Sequence, residues 1–534
     1  MTTLGGGAKE LRDPAVAEFE SPADRPLEGS PDGASSEATV GTSGLPLAAA
    51  GDVGGSATHN QAIASGVMWQ GALRWLSQAL SWTATIVIAR RLSPEDYGIA
   101  GAATVLVGLL ALLNESGLGR AVVLRRDRDE NVVEQAHGAA IGTGILTAIV
   151  MLLVAIPVAR FYREPRMMPV IAVLSLALLF CGMNAVPLAM LQQQLQYRRL
   201  AAIDFGKAIV QALTVLSASL LGLGYWSLAL GLLMGHCAAM LLTRRYVVVK
   251  AQQPKRLVLG PTLIYSRHLM VGSLAWYIYS NADFAIVGRV AGLSALGYYQ
   301  FAWNIAQLPG EKLANVLQAV VGPFFGSIGD DRVAMRHYFL VLSELLVSIM
   351  LPVLCGFALV SPIAVPMIFG AKWVVAIPVL QVLVIASALS SFALLSQHVL
   401  GATGDALVAT RMNLVALVVM PVAFFLAASQ SGPLAVATVW LVAQPILIGF
   451  PLLRLRQAID LTLPDYLRSL KAPLVSAGAM TVAVALLAHF REPLVPILQL
   501  ALLCACGAAV YGLVYILCFR ERVHAIMSLW KHRA

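Results

Sequence analysis

The chain has 534 residues, of which 58% are hydrophobic and 12% charged, with a mean hydropathy of +0.77. Soluble globular chains carry about 25% charged residues, so these proportions exclude a water-soluble globule. A formal net charge of +9 would suit nucleic acid only if the basic side chains shared one patch. They lie instead in short segments between apolar runs, which is the arrangement of a polytopic membrane protein and gives no nucleic-acid partner.

Residues 1–60 are rich in Gly, Ala, Ser, Pro and acidic residues. They hold too few large apolar side chains to bury a core, and they lack the basic and apolar regions of a signal peptide. This segment is expected to be a disordered cytoplasmic tail.

The next stretch, Gly66 to Ala89, holds a single charge, Arg74. At 1.5 Å per residue it reaches roughly 36 Å, enough to cross a hydrocarbon layer of about 30 Å. Gln70, Arg74, Ser77, Gln78, Ser81 and Thr85 recur at steps of three and four, so they share one helical face. An arginine at mid-membrane costs roughly 2.5–3.5 kcal/mol or more on an isolated helix, so this face should meet water or protein. A structural polar seam between helices is one reading. A transport cavity in which Arg74 meets an anionic substrate is the other, and the rest of the chain favours it.

Fourteen candidate spans begin near Gly66, Tyr97, Val133, Met167, Asp204, Trp226, Leu269, Ala295, Tyr338, Val374, Ala406, Pro433, Pro473 and Pro496. The connections are short, so neighbouring helices should run antiparallel. The fold class is therefore all-α. The layout expected is a tail (1–60), an N-terminal six-helix lobe (61–250), a C-terminal six-helix lobe (251–458) and two additional helices with a short cytoplasmic tail (459–534).

Charge orients this bundle. With the N-terminus inside, the basic residues outside are Arg90, Arg91, Arg160, Arg163, Arg166, Arg289, Lys372 and Arg491, eight in all against 24 in the cytoplasmic segments. Such a bias places both termini in the cytoplasm.

An internal repeat supports the two lobes. Leu92-Ser93-Pro94-Glu95-Asp96-Tyr97 after the first span matches Leu293-Ser294-Ala295-Leu296-Gly297-Tyr298 after the seventh, 201 residues later (293 − 92). Six spans separate the copies. An even number preserves direction, so the lobes should be related by a pseudo-two-fold axis along the membrane normal.

The polar residues of the second lobe complete the candidate site. Ser273, Trp276, Tyr277, Ser280 and Asp283 follow helical spacing in the seventh span, with Asn281 beside them. Asp283 reads either as a cavity carboxylate or as an inter-helix hydrogen-bonding group. In the eighth span Asn304, Gln307 and Glu311 share a face, Lys312 is adjacent, and Pro309-Gly310 should break the helix between them. Glu311 and Lys312 read either as a structural pair or as a coupling carboxylate and a substrate cation. Gln397, His398, Arg411 and Asn413 flank the tenth-to-eleventh turn and read as interfacial.

No Ser/His/Asp constellation, nucleotide-binding loop or metal-ligand cluster is present, and the six cysteines form no C-x-x-C pair. The sequence thus points away from an enzyme, from a metal site and from a bound cofactor. Proton or sodium coupling stays open through the carboxylates.

ARRLSPEDYG (89–98), GLGRAVVLRRD (117–127), QQQLQYRRLAAIDF (192–205), GYYQFAWNIAQLP (297–309) and FGAKWVVAIPVL (369–380) resemble the bacterial polysaccharide-exporter family. These are oligosaccharide-lipid flippases of the superfamily that also holds the MATE drug antiporters. The resemblance runs from about Ala64 to the C-terminus. It implies twelve to fourteen helices in two lobes around a cationic cavity, and flipping of undecaprenyl-diphosphate-linked repeat units across the bacterial inner membrane for surface polysaccharide biosynthesis. It also implies polymerase or export machinery as protein partners. Arg74 falls where the family's first helix faces the cavity. A small-molecule/cation antiporter is the rival reading, but it would prefer an acidic cavity, whereas the intramembrane charges here are Arg74, Lys312 and Glu311, with Asp283 near the rim.

Overall fold

The computed structural model describes residues 78, 80, 82–114, 130–194, 196–253, 256–328, 331–392, 395–396, 399–400, 406–489 and 495–519, with side chains left out at 197, 256–269, 311–324, 326–327 and 406–409. Every element of length among them is helical. In chain order they are α1 (82–91), α2 (Pro94–Asn114), α3 (Glu130–Tyr162), α4 (Met167–Gln193), α5 (Tyr197–Leu220), α6 (Trp226–Tyr246), α7 (Arg256–Val290), α8 (Leu293–Ile328), α9 (Arg332–Phe369), a short 3-10 turn (Ala371–Ala376), and α10 (Ile377–Ser391). The stretch Ala406–Ile459 is helical throughout its length but carries non-helical backbone at Ser431 and Gly432. At 1.5 Å per residue an unbroken helix there would far exceed one bilayer. Gly432 has φ 68, which glycine alone adopts readily, so the stretch is two helices, α11 (406–430) and α12 (433–459). The last two are α13 (Leu463–His489) and α14 (Pro496–Cys518). Among the described residues ten helical stretches are long and apolar enough to cross a membrane, Thr410–Ile459 being taken as one.

Local sequence explains several boundaries. Ser93 and Asp96 form a reciprocal cap at the start of α2: Ser93 N–H donates to Asp96 Oδ2 (3.1 Å) and Asp96 N–H to Ser93 Oγ (3.1 Å). Pro94 takes the first helical position, where its missing N–H is no loss. Asp331 caps α9 by accepting from the N–H groups of Val333 (3.1 Å) and Ala334 (3.0 Å).

Among the described residues fourteen helices fall on the expected spans, the first of which is described continuously only over 82–91. Several begin earlier than their apolar runs, α7 at Arg256 instead of Leu269 and α13 at Leu463 instead of Pro473. The reason is that helix continues past the apolar stretch into charged turns. One expectation is corrected. Pro309-Gly310 does not break the eighth span, because α8 runs through both without interruption. A proline removes one backbone hydrogen bond but the neighbouring turns can carry the helix on.

The packing forms two lobes and an appended pair. In the first lobe α3 packs on α4, α5 on α6, and α2 and α6 on α4; in the second α7 packs on the α11–α12 hairpin, α9 on α10, and α10 on α8 and the hairpin. The lobes meet chiefly where α2 lies along α8 and α7. Helices α13 and α14 pack on each other and on α9. An ion pair between Arg336 of α9 and Asp465 of α13 ties that pair at one end. Midway along α9, Tyr511 of α14 donates to the Ser348 carbonyl oxygen (2.8 Å). Apolar side chains such as Leu153, Val418 and Ile446 stay about two-thirds exposed, which suits a surface bathed in lipid.

Candidate functional site

The site is built where the two repeat copies meet. At the end of the bundle where α1 finishes and α2 and α8 start, a Cβ at Gly98 would collide with the carbonyl oxygen of Leu293, and one at Gly297 with that of Pro94. The contact is reciprocal, glycine of each copy against backbone of the other, as a pseudo-two-fold axis requires. Closer spacing of helix backbones than this needs small residues at the crossing. Further along α2, the Gln300 carboxamide lies over Gly101 and the Tyr277 ring over Gly108. Tyr277 Oη donates to the Val105 carbonyl oxygen (2.9 Å), a direct bond from α7 to α2.

Aromatic rings fill the same end. Trp373, fully buried, stacks on Phe301 with centroids 4.1 Å apart and meets Tyr97 edge-on at 5.4 Å and Tyr298 at 5.9 Å. Its indole N–H donates to the Ala89 carbonyl oxygen at the end of α1 (2.7 Å). Lys372 Nζ donates to the carbonyl oxygens of Arg90 (2.9 Å) and Leu92 (2.6 Å), while Arg90 donates to those of Met367 and Ile368 at the end of α9, both at 2.7 Å. Glu95 and Glu164 both pair with Arg166 at this end.

The expected site residues fall into three groups. Gln70, Arg74 and Ser81 lie outside the described residues. So do Gln397 and His398 and the side chains of Glu311 and Lys312, although the backbone of the latter pair continues α8. Gln78 is half-buried, Gln307 is half-buried, and Asn304 is exposed. Asn304 is eleven residues into α8, about 16 Å from its start. Asn281 is half-buried and donates to the Tyr277 carbonyl oxygen one turn back (2.8 Å). Asp283 is fully buried within the second lobe: Oδ2 accepts from Tyr299 Oη (2.7 Å) and Trp440 Nε1 (2.8 Å), and Oδ1 from the Phe284 N–H (2.9 Å). Of the two readings of Asp283, the geometry supplies the inter-helix one. Asn413 likewise bridges helices, donating to the Gly272 carbonyl oxygen (3.1 Å).

Sequence reasoning missed Arg90, Lys372, Trp373 and the glycine seam as parts of the contact between the lobes. The signal present was the LS…Y repeat and the FGAKW run, which carry both halves of the contact. Among the described residues no group of three His, Cys, Asp or Glu side chains is placed to hold a metal, and none of the described cysteines forms a disulfide.

Among the described residues fourteen helices, in two six-helix lobes joined along α2 and α8 with an appended pair, define a polytopic membrane-transport fold. The chain belongs to the polysaccharide biosynthesis protein family, which matches residues 87–378, more than half of its length. It is 26% identical to the lipopolysaccharide biosynthesis protein WzxC of Escherichia coli K12 over 61% of this chain and 67% of that one. It is 24% identical to the succinoglycan biosynthesis transport protein ExoT of Rhizobium meliloti over 85% of this chain and 92% of that one. Among solved structures, lipid II flippase MurJ in an inward closed conformation superposes with a TM-score of 0.69 at 12% identity, covering 85% of this chain and all of that one. An inward-facing multidrug MATE transporter gives 0.56 at 16% identity, covering 72% and 96%. These structural likenesses establish the fold.

Proposed function

We propose that the chain moves polyprenyl-diphosphate-linked glycan repeat units from the cytoplasmic to the external leaflet of the bacterial inner membrane. The observation that carries this reading is the family match together with a relative of like length, the succinoglycan biosynthesis transport protein ExoT. The basic bias puts the Arg198, Arg244 and Arg336 end, and both termini, in the cytoplasm. The Leu92 end is then external.

Physical chemistry supports the cargo. A diphosphate carries about two negative charges, and arginine binds it by paired hydrogen bonds. Arg74 supplies that charge on the polar face of the first span, with Gln70, Gln78 and Ser81, and Lys312 adds to it from α8. Asn304, Gln307 and Asn281 offer hydrogen bonds to sugar hydroxyls. A hydrophilic glycan needs such a polar cleft, while the polyprenyl tail stays in lipid. The lobes, 61–250 and 251–458, rock against each other to expose the cleft to either face, with Glu311 the carboxylate open to proton or sodium coupling. Export by this chain and work of the polymerase or export machinery on the unit would then follow in sequence. Deleting the gene should make lipid-linked glycan accumulate with its sugar still in the cytoplasmic leaflet. Normal surface polysaccharide with no accumulated intermediate would overturn the reading.

A further inference from the structure

The Leu92 end is joined by contacts of a particular kind. The last four carbonyls of a helix lack intrahelical partners, and that terminus carries negative partial charge, so it attracts cations. Here the end of α1 is served by Lys372 and Trp373, which follow α9, and the end of α9 is served by Arg90, which ends α1. Each helix terminus is capped by a cation from the other lobe. Neither cap can form within one lobe, so both exist only while the lobes touch at this end.

We infer that these crossed caps, with Trp373 as their buried centre, form the external latch of the transporter, closed when the cleft faces the cytoplasm and released when it opens outward. This rests on the alternating-access reading above. Three features make the contact releasable. Arg90 is exposed and Lys372 half-buried, so water can replace both sets of hydrogen bonds. A hollow of about 440 Å³ lined by Arg90, Pro366, Phe369, Gly370, Ala371 and Lys372 leaves room for both side chains to swing clear. The glycine contact beneath, Gly98 against the Leu293 carbonyl and Gly297 against that of Pro94, is backbone against backbone.

The latch also has a graded build. Trp373 keeps its stack with Phe301 and its edge contact with Tyr298, which lie in its own lobe, and loses only the Tyr97 ring and the Ala89 carbonyl when the lobes separate, whereas the two cations give up their bonds to the carbonyls of the other lobe. A neutral but equally long side chain at Lys372 should therefore favour opening without collapsing the core.

Spin labels at Arg91→Cys and Ala371→Cys, exposed positions on either lobe at this end, report the separation in a background whose native cysteines are replaced by serine. The parent should give one short distance. Adding Arg90→Leu and Lys372→Met should raise the longer-distance population severalfold, and Trp373→Phe, which keeps the ring and drops the N–H, should do so to a smaller extent. Unchanged distances in the folded double variant overturn the latch; if the double variant fails to fold, Lys372→Met alone and Trp373→Phe are read the same way. As a second arm, joining the same two cysteines with a short bismaleimide should abolish glycan export, and export at the parental rate would show that this end never opens. The distance arm needs no cargo, so a cargo other than lipid-linked glycan leaves the latch standing, and a rigid Leu92 end leaves the cargo standing.

Discussion

Asp283 is the residue at which structural and transport roles separate most cleanly. Its carboxylate is fully buried and accepts three hydrogen bonds, from Tyr299, Trp440 and the Phe284 backbone, so it ties α7 to α8 and α12. The rings of Phe284, Trp303 and Trp440 close over the site, Phe284 meeting Trp303 at 5.7 Å and Trp303 meeting Trp440 at 5.4 Å. Asp283→Ala strands the Tyr299 hydroxyl and the Trp440 N–H where no water replaces the lost acceptor. At about 1–3 kcal/mol per orphaned donor, the two side chains alone predict a loss of about 2–6 kcal/mol. Asp283→Asn keeps an oxygen acceptor and should cost less, about 1–2 kcal/mol. Because Tyr299, Trp440 and Asp283 act as one unit, Asp283→Ala in a Tyr299→Phe background should cost less than in the parent. The assay is the melting temperature of purified protein in detergent, with export measured separately in cells. An Asp283→Ala protein that melts with the parent yet exports nothing would refute this account and return Asp283 to the cargo site.

Three further outcomes follow from other parts of the chain. Arg74→Ala should abolish export while the protein stays in the membrane, and Arg74→Lys should retain part of it because charge survives without the bidentate fork; complementation of a deletion strain reads both. Asp465 is held below the usual carboxylate range by its hydrogen bond from Thr462 and then by Arg336 and Arg468. Its contribution to tethering α13 is therefore present above about pH 4 and lost as the pH falls below that, and Asp465→Asn should flatten the acid limb of a melting-temperature profile. Reporter fusions at the C-terminus should register a cytoplasmic location, and a periplasmic signal would reverse the topology.

The fold was legible because its cause is composition and period. Apolar runs of membrane length, punctuated by Pro94, Gly432 and Pro496, mark helices whatever their neighbours do, and the Leu92/Leu293 repeat discloses the pairing of lobes. Pro309-Gly310 misled because residue identity alone does not reveal whether surrounding turns can carry a helix past a lost hydrogen bond. Asp283 was visible as an intramembrane acid, but its donors, Tyr299 and Trp440, are 16 and 157 residues away, and nothing local names them. The crossed caps were hidden for a different reason. Arg90 and Lys372 bind carbonyl oxygens of Met367, Ile368, Arg90 and Leu92, and a backbone acceptor leaves no trace in the side-chain sequence. Both cations therefore registered only as loop charges.

The central claim is that this chain carries a lipid-linked glycan across the bilayer. Purified protein reconstituted in liposomes with a polyprenyl-diphosphate oligosaccharide in both leaflets tests it, the outward-facing fraction being read by an impermeant sugar-modifying reagent. Protein-containing vesicles should expose the inner pool with time, and Arg74→Ala vesicles should behave like protein-free ones. Vesicles that leave the inner pool protected while exchanging small organic cations would contradict the account and identify the chain as an antiporter.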